Sequence, residues 1–176
     1  MEERLILVDT DDRPIGICEK MRAHHEGLLH RAFSIFVFDS AGRLLLQQRA
    51  LNKYHSGGLW SNTCCGHPRP REALPDAVRR RLGEEMGFAC ELRPVDALVY
   101  RARFENDLIE HEFVHIHVGR FDGTVAPDFA EVAAWRWIDV PTLLEWMADE
   151  PSAFTVWFHC MIERAGLPVL HRWAHR

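Results

Sequence analysis

A chain of 176 residues with 47% hydrophobic content can bury a full core and is expected to fold as one domain over residues 1–176. Its 21 basic and 26 acidic residues leave a net charge of −5, which excludes a broad nucleic-acid or anionic-membrane surface, so any anionic ligand must be held locally. No apolar run reaches the roughly 18 residues of a membrane helix, and the N-terminal MEERLILVDTDD lacks a cationic segment followed by an apolar core, so a cytoplasmic protein is expected.

In chain order, residues 32–49, AFSIFVFDSAGRLLLQQR, read as two strands around the turn signal Asp39-Ser40-Ala41-Gly42, hence a hairpin. Pro75 suits the first turn of a helix and Gly87 its left-handed stop, with Ala77, Val78 and Leu82 as the apolar stripe between them. Arg81 and Glu85 fall one turn apart on that helix. Residues 110–121 are extended, and period two puts Glu110 and Glu112 on one face and His115 and His117 on the other. Residues 133–140 read as a strand, and 141–148 and 151–165 as helices, the second carrying Phe154, Trp157 and Phe158. Strands interleaved with helices imply an α/β (α+β) chain, a mixed sheet flanked by helices. The end of the chain, residues 169–176, carries no assignable role, and the absence of an evident apolar surface patch favours a monomer.

Chemistry concentrates in a few residues. His24 and His30 flank the first long strand, His67 follows the pair Cys64-Cys65, and Glu110 and Glu112 share a strand face. Three imidazoles and two carboxylates suit zinc, manganese or iron, although a solvated strand edge explains the two acids about as well. Adjacent Cys64 and Cys65 could bridge only with strain, and five cysteines are an odd set, so reduced thiols are expected. Cys65 with His67 has the look of half a structural zinc site, but no second spaced cysteine pair closes it. Lys20, Arg49, Lys53 and Arg81 are the cations available to an anionic ligand.

The segment 66–88 resembles the Nudix box: Gly66, Glu72, Arg80, Leu82, Glu84, Glu85, Gly87 and Phe88 stand at its spacing. Arg81 departs from it, a cation where Nudix hydrolases carry a metal-binding Glu, and hydrolysis is the property this puts in doubt. Several segments together, CEKMRAHHEGLLHRAFSIFVFD, LLLQQRALNKYHSGGLWSNTCCGHP, YRARF, IEHEF and PSAFTVWF, resemble the type 1 isopentenyl diphosphate isomerases over residues 18–158. That resemblance implies a Nudix-like fold and the interconversion of isopentenyl and dimethylallyl diphosphate. It also implies Cys65 and Glu112 as proton-transfer groups, with Tyr100 assisting proton delivery. His24, His30, His67, Glu110 and Glu112 would hold a divalent metal (Mn2+, Zn2+ or Mg2+), with His25 a competitor to His24. Glu85 would bind a Mg2+ arriving with the diphosphate. Lys20, Arg49, Lys53 and Arg81 would contact phosphate, Trp157 would lie beside the hydrocarbon, and no flavin is implied. A Nudix hydrolase is the alternative enzyme, and a non-catalytic metal or nucleotide-binding module a third reading.

Overall fold

The computed structural model describes residues 3–104 and 106–175. Nine strands and four helices follow in chain order: β1 (Arg4–Val8), β2 (Pro14–Glu19), α1 (Lys20–Glu26), β3 (His30–Phe38), β4 (Leu44–Arg49), β5 (Trp60–Ser61), β6 (Cys64–Gly66), α2 (Leu74–Met86), β7 (Leu92–Arg103), β8 (Ile109–Arg120), β9 (Val132–Ile138), α3 (Val140–Asp149) and α4 (Val156–His175). Among the described residues no helix is long and apolar enough to cross a membrane.

Strand β3 is apolar on both faces, and each face enters a different core. Ala32, Phe36 and Phe38 pack with α3 and α4, while Phe33, Ile35 and Val37 pack with Val78, Leu82 and Met86 of α2. Such two-sided burial requires layers above and below the strand, so the sheet lies between helices. Strand β3 runs parallel to β8 from His30↔Glu112 to Phe38↔Arg120, and β8 runs antiparallel to β7 with Tyr100 opposite Glu112. The mixed sheet flanked by helices is the expected architecture.

The hairpin expected over 32–49 is only partly formed. Strands β3 and β4 meet at the single pair Phe38↔Leu44 and then part. The segment from Trp60 to Gly66 enters the gap: β5 pairs with β4 through Gln47↔Ser61, and β6 pairs with β3 through Ser34↔Cys65. Side chains there stand in for the missing ladder. Thr63 Oγ1 accepts from Val37 N at 2.9 Å and donates to Leu45 O at 2.7 Å, and Asn62 Nδ2 donates to Ile35 O and Cys64 O at 3.0 Å each. Buried backbone groups must find partners, so two polar side chains suffice to hold the strands apart. The wedge carries Cys65 and His67 into the middle of the molecule.

Two further differences concern the C-terminal third. The helix expected over 151–165 begins as a short 3-10 turn at Pro151–Ala153, and α4 proper starts at Val156 and runs to His175 with a kink at Gly166 (φ 65°). The last residues therefore have a role after all: Leu170, Trp173 and Ala174 are buried in the core against β3, with Trp173 5.4 Å from Phe36, while Arg176 lies outside the described residues.

Candidate active site and metal centre

Three adjacent strands bring the reactive row together in register. Tyr100 on β7, Glu112 on β8 and His30 on β3 are successive neighbours across the sheet. Glu110 and Glu112 share the buried face, as period two requires, whereas His115 turns outward to Asp12 at 2.9 Å. Tyr100 Oη lies 2.6 Å from Glu110 Oε2 and 2.8 Å from Glu112 Oε2. One phenolic hydrogen cannot occupy both contacts. Burial, reinforced by both acids, drives the phenol far above its ordinary value, so it remains a donor.

Helix α1 turns Ala23 and His24 inward. Glu19 caps its start, accepting from Met21 N and Arg22 N at 2.8 and 2.7 Å, and Gly27 stops it in the left-handed conformation. His24 is fully buried and His25 is exposed, so of the two neighbours His24 is the one that faces the interior. His24 Nδ1 donates to Lys20 O at 2.7 Å and His30 Nδ1 donates to Leu28 O at 2.8 Å. A carbonyl only accepts, so both rings carry hydrogen on Nδ1 and present a lone pair at Nε2. Both Nε2 atoms are buried without a hydrogen-bond partner.

Donor atoms of His24, His30, His67 and Glu112 all lie within 4.8 Å of one another, and those of His24, His55 and Glu110 do likewise. Orphaned lone pairs, fixed tautomers and two carboxylates fit a divalent metal and are costly without one. The bland alternative, a solvated strand edge, fails because Glu110 and Glu112 are buried. His67 Nε2 contacts Glu112 Oε1 at 3.0 Å, and His30 Nε2 stands 3.5 Å from the same oxygen. Burial works against ionising Glu112, yet these two imidazoles outweigh it and hold its carboxyl well below the usual range.

A cavity of about 750 Å³ opens over this row and is lined by Cys65, His67, Tyr100, Glu110, Glu112 and Trp157, as well as by Lys20, Arg49, Lys53, Arg81 and Glu85. Every site residue expected from sequence is thus in the cavity wall, except His24 and His30, which lie buried behind it. Cys65 Sγ is 3.3 Å from both Ser34 Oγ and Asn62 Oδ1, and burial pushes its thiol up to about 12. Burial thus favours the protonated thiol at Cys65, whereas the two imidazoles favour the ionised carboxylate at Glu112. Trp157 is both core and wall: Nε1 donates to Ser61 Oγ at 2.9 Å, and the Arg49 guanidinium lies 5.1 Å from its ring. All five cysteines are free thiols.

Three of the four cations are already engaged by carboxylates, while Arg49 donates to His55 O at 3.3 Å. Lys20 pairs with Glu3 at 2.8 Å, Lys53 with Glu131, and Arg81 with Glu84, Glu85 and Glu131. Glu85 is held between Arg81 and Gln47, whose Nε2 donates to it at 2.9 Å. Sequence reasoning missed His55, Glu131 and the Ser34, Asn62 and Gln47 set. The only signal was polar residues in or beside apolar strands, and His55 stands just two residues beyond Lys53.

This arrangement, a carboxylate-bearing helix facing a mixed sheet across a cationic cavity, belongs to the NUDIX domain family, which matches residues 28–158. A solved structure from Deinococcus radiodurans shares the fold with a TM-score of 0.76 at 21% identity, covering 92% of this chain and 98% of that one. Within that class the chain is a member of the isopentenyl-diphosphate Delta-isomerase family. It is 54% identical over 174 residues to the isopentenyl-diphosphate Delta-isomerase of Serratia proteamaculans, 99% of this chain and 97% of that protein. It is also 54% identical over 164 residues to isopentenyl-diphosphate Delta-isomerase 1 of Aromatoleum aromaticum, 93% of each.

Proposed function

We propose that Cys65 and Glu112 carry the two proton transfers with which this chain interconverts isopentenyl and dimethylallyl diphosphate. Moving a double bond by one carbon requires a proton added at one end of the allyl unit and another removed from its far side. An unactivated alkene is a poor base, so protonation builds tertiary carbocation character and needs a site shielded from water. The observation that carries the reading is that a thiol and a carboxylate, Cys65 and Glu112, line one cavity, where each can exchange a proton with a bound allyl unit. Return of the double bond uses the same two groups with roles exchanged, Tyr100 helping to hold the proton at the Glu110–Glu112 pair.

The aromatic face of Trp157 supports the reading, since a desolvated indole stabilises nearby positive charge by about 2 kcal/mol. When bound, a divalent ion (Mn2+, Zn2+ or Mg2+) at His24, His30, His67, Glu110 and Glu112 supplies fixed positive charge against the two carboxylates. Lys20, Arg49, Lys53 and Arg81 would contact the diphosphate, and Glu85, paired here with Arg81, would hold the Mg2+ that accompanies it. Binding energy gained there orients carbons that are themselves weakly held. Hydrolysis is the poorer reading because the box acids Glu72, Glu84 and Glu85 are neutralised by Arg80 and Arg81.

The test is proton NMR of isopentenyl diphosphate with the metal-loaded protein and Mg2+ in deuterated water. Dimethylallyl diphosphate carrying deuterium, with no phosphate released, is the expected product. Cys65→Ala should lower turnover at least about 10²-fold, the scale of one positioned proton-transfer group, with substrate still bound. Full activity of that variant would remove Cys65 from the mechanism, and phosphate release without exchange at carbon would return the hydrolase.

A further inference from the structure

The loop between β4 and β5 supplies one histidine that the proton chemistry does not use. The His55 side chain is 2% exposed, stacked on Phe104 with centroids 4.5 Å apart and set edge-on to Trp157 at 5.8 Å. Its Nδ1 lies 3.2 Å from Ser56 Oγ and its Nε2 lies 2.9 Å from Glu110 Oε1. That short contact lacks hydrogen-bond alignment, and Nε2 is left without a partner. Two donor atoms brought close but not aimed at each other are what a shared third point between them produces. His24 identifies that point. It belongs to both groups, its donor atom lying within 4.8 Å of the His55 and Glu110 donors and of the His30, His67 and Glu112 donors. With His24 Nδ1 committed to Lys20 O, a single lone pair serves both groups. One imidazole lone pair binds one ion, so an ion held by His24 adjoins both groups.

We infer that His55 is an additional imidazole ligand of the divalent ion, an inference that rests on the metal site proposed above. The centre then offers four imidazoles and two carboxylates. Nitrogen dominates that set, which selects a transition-row dication or zinc over Mg2+, an ion that prefers oxygen and keeps its waters. Six protein donors also leave no position for water. The loop that carries Lys53 is tied to the metal through the same residue, so phosphate contacts and metal are joined by two residues of backbone.

The experiment compares wild type with His55→Phe, which keeps the ring stack on Phe104 and removes the donor. Unchanged melting of the metal-free proteins verifies the stack, and His55→Gln replaces the phenyl variant if it does not fold. Competition of Mn2+ with a chromophoric chelator and Mn2+-induced relaxation of water protons are the readouts. The expected result is affinity weakened by about 10- to 100-fold, with inner-sphere water absent from the wild type and present in the variant. Equal affinity, or weakened affinity with unchanged hydration, overturns His55 as a ligand while leaving the metal site standing. A wild type that takes up no ion overturns both.

Discussion

Tyr100 shows how much a single buried atom decides. Its hydroxyl faces Glu110 and Glu112 at 2.6 and 2.8 Å with one hydrogen between them, so the three oxygens form a shared proton reservoir rather than two separate bonds. Tyr100→Phe keeps the ring and removes the reservoir. Turnover should fall about 10²-fold or more while KM changes little, because the hydroxyl bonds the two acids and none of the cations proposed for the diphosphate; steady-state kinetics in both directions checks it. A large rise in KM with unchanged turnover would make Tyr100 a packing residue. At this scale the sequence was informative where periodicity applies: Glu110 and Glu112 share a face because side chains alternate along a strand. His55 was illegible because a loop has no period. Its partners, Phe104 and Glu110, are distant in sequence and are found only by folding.

Helix α2 depends on details at both of its ends. Gly87 stops it at φ 74°, and a Cβ there would lie 2.0 Å from Ala126 O, on the loop whose Ala126 N and Asp128 N bond Met86 O and Glu85 O. Gly87→Ala should cost about 1–2 kcal/mol for the left-handed backbone alone, with more from the clash, and should also pull Glu131 away from Arg81. Denaturant unfolding measures the first effect and KM for the diphosphate the second. Near the other end, Glu72 accepts from Arg80 at 2.7 and 2.9 Å and from Arg69 N at 2.8 Å. The Arg80 bonds hold its carboxyl below the usual value of 4.5. A folded-state value depressed in this way contributes stability that is present above the unfolded value and lost as pH falls through the folded one. Glu72→Gln should therefore melt lower than wild type near pH 7, and the gap should close below about pH 4.5. A gap independent of pH would mean that shape, not charge, holds the N-terminal side of α2. The cap residues Pro75 and Gly87 were legible because helix ends have local chemistry. The bonds from Glu72 to Arg80 and from Glu131 to Arg81 follow from how loops return to the helix.

Across the whole molecule, the sheet separates two cores, and α4 closes the larger one. Trp173 is 6% exposed and packs on Phe36, which sits on the site-bearing strand β3. Trp173→Ala should cost about 3–5 kcal/mol. That corresponds to melting lowered on the order of 10 °C for a chain of this size. Turnover measured well below the transition should stay near wild type, since Trp173 packs at the Phe36 end of β3, on the same face as the site but away from His30; an equal loss of activity and stability would mean that α4 positions the site directly.

The chain by itself determined the classes of its periodic segments, the shared face of Glu110 and Glu112, the helix bounded by Pro75 and Gly87, and, through its motifs, the family. These rest on interactions within a few residues, which spacing records. Only the tertiary structure decided that β3 and β4 part around Asn62 and Thr63, that the C-terminal residues are core, that His24 and not His25 turns inward, and that His55 joins Glu110. Each depends on which distant backbone groups need a partner, and that is settled when the strands pair.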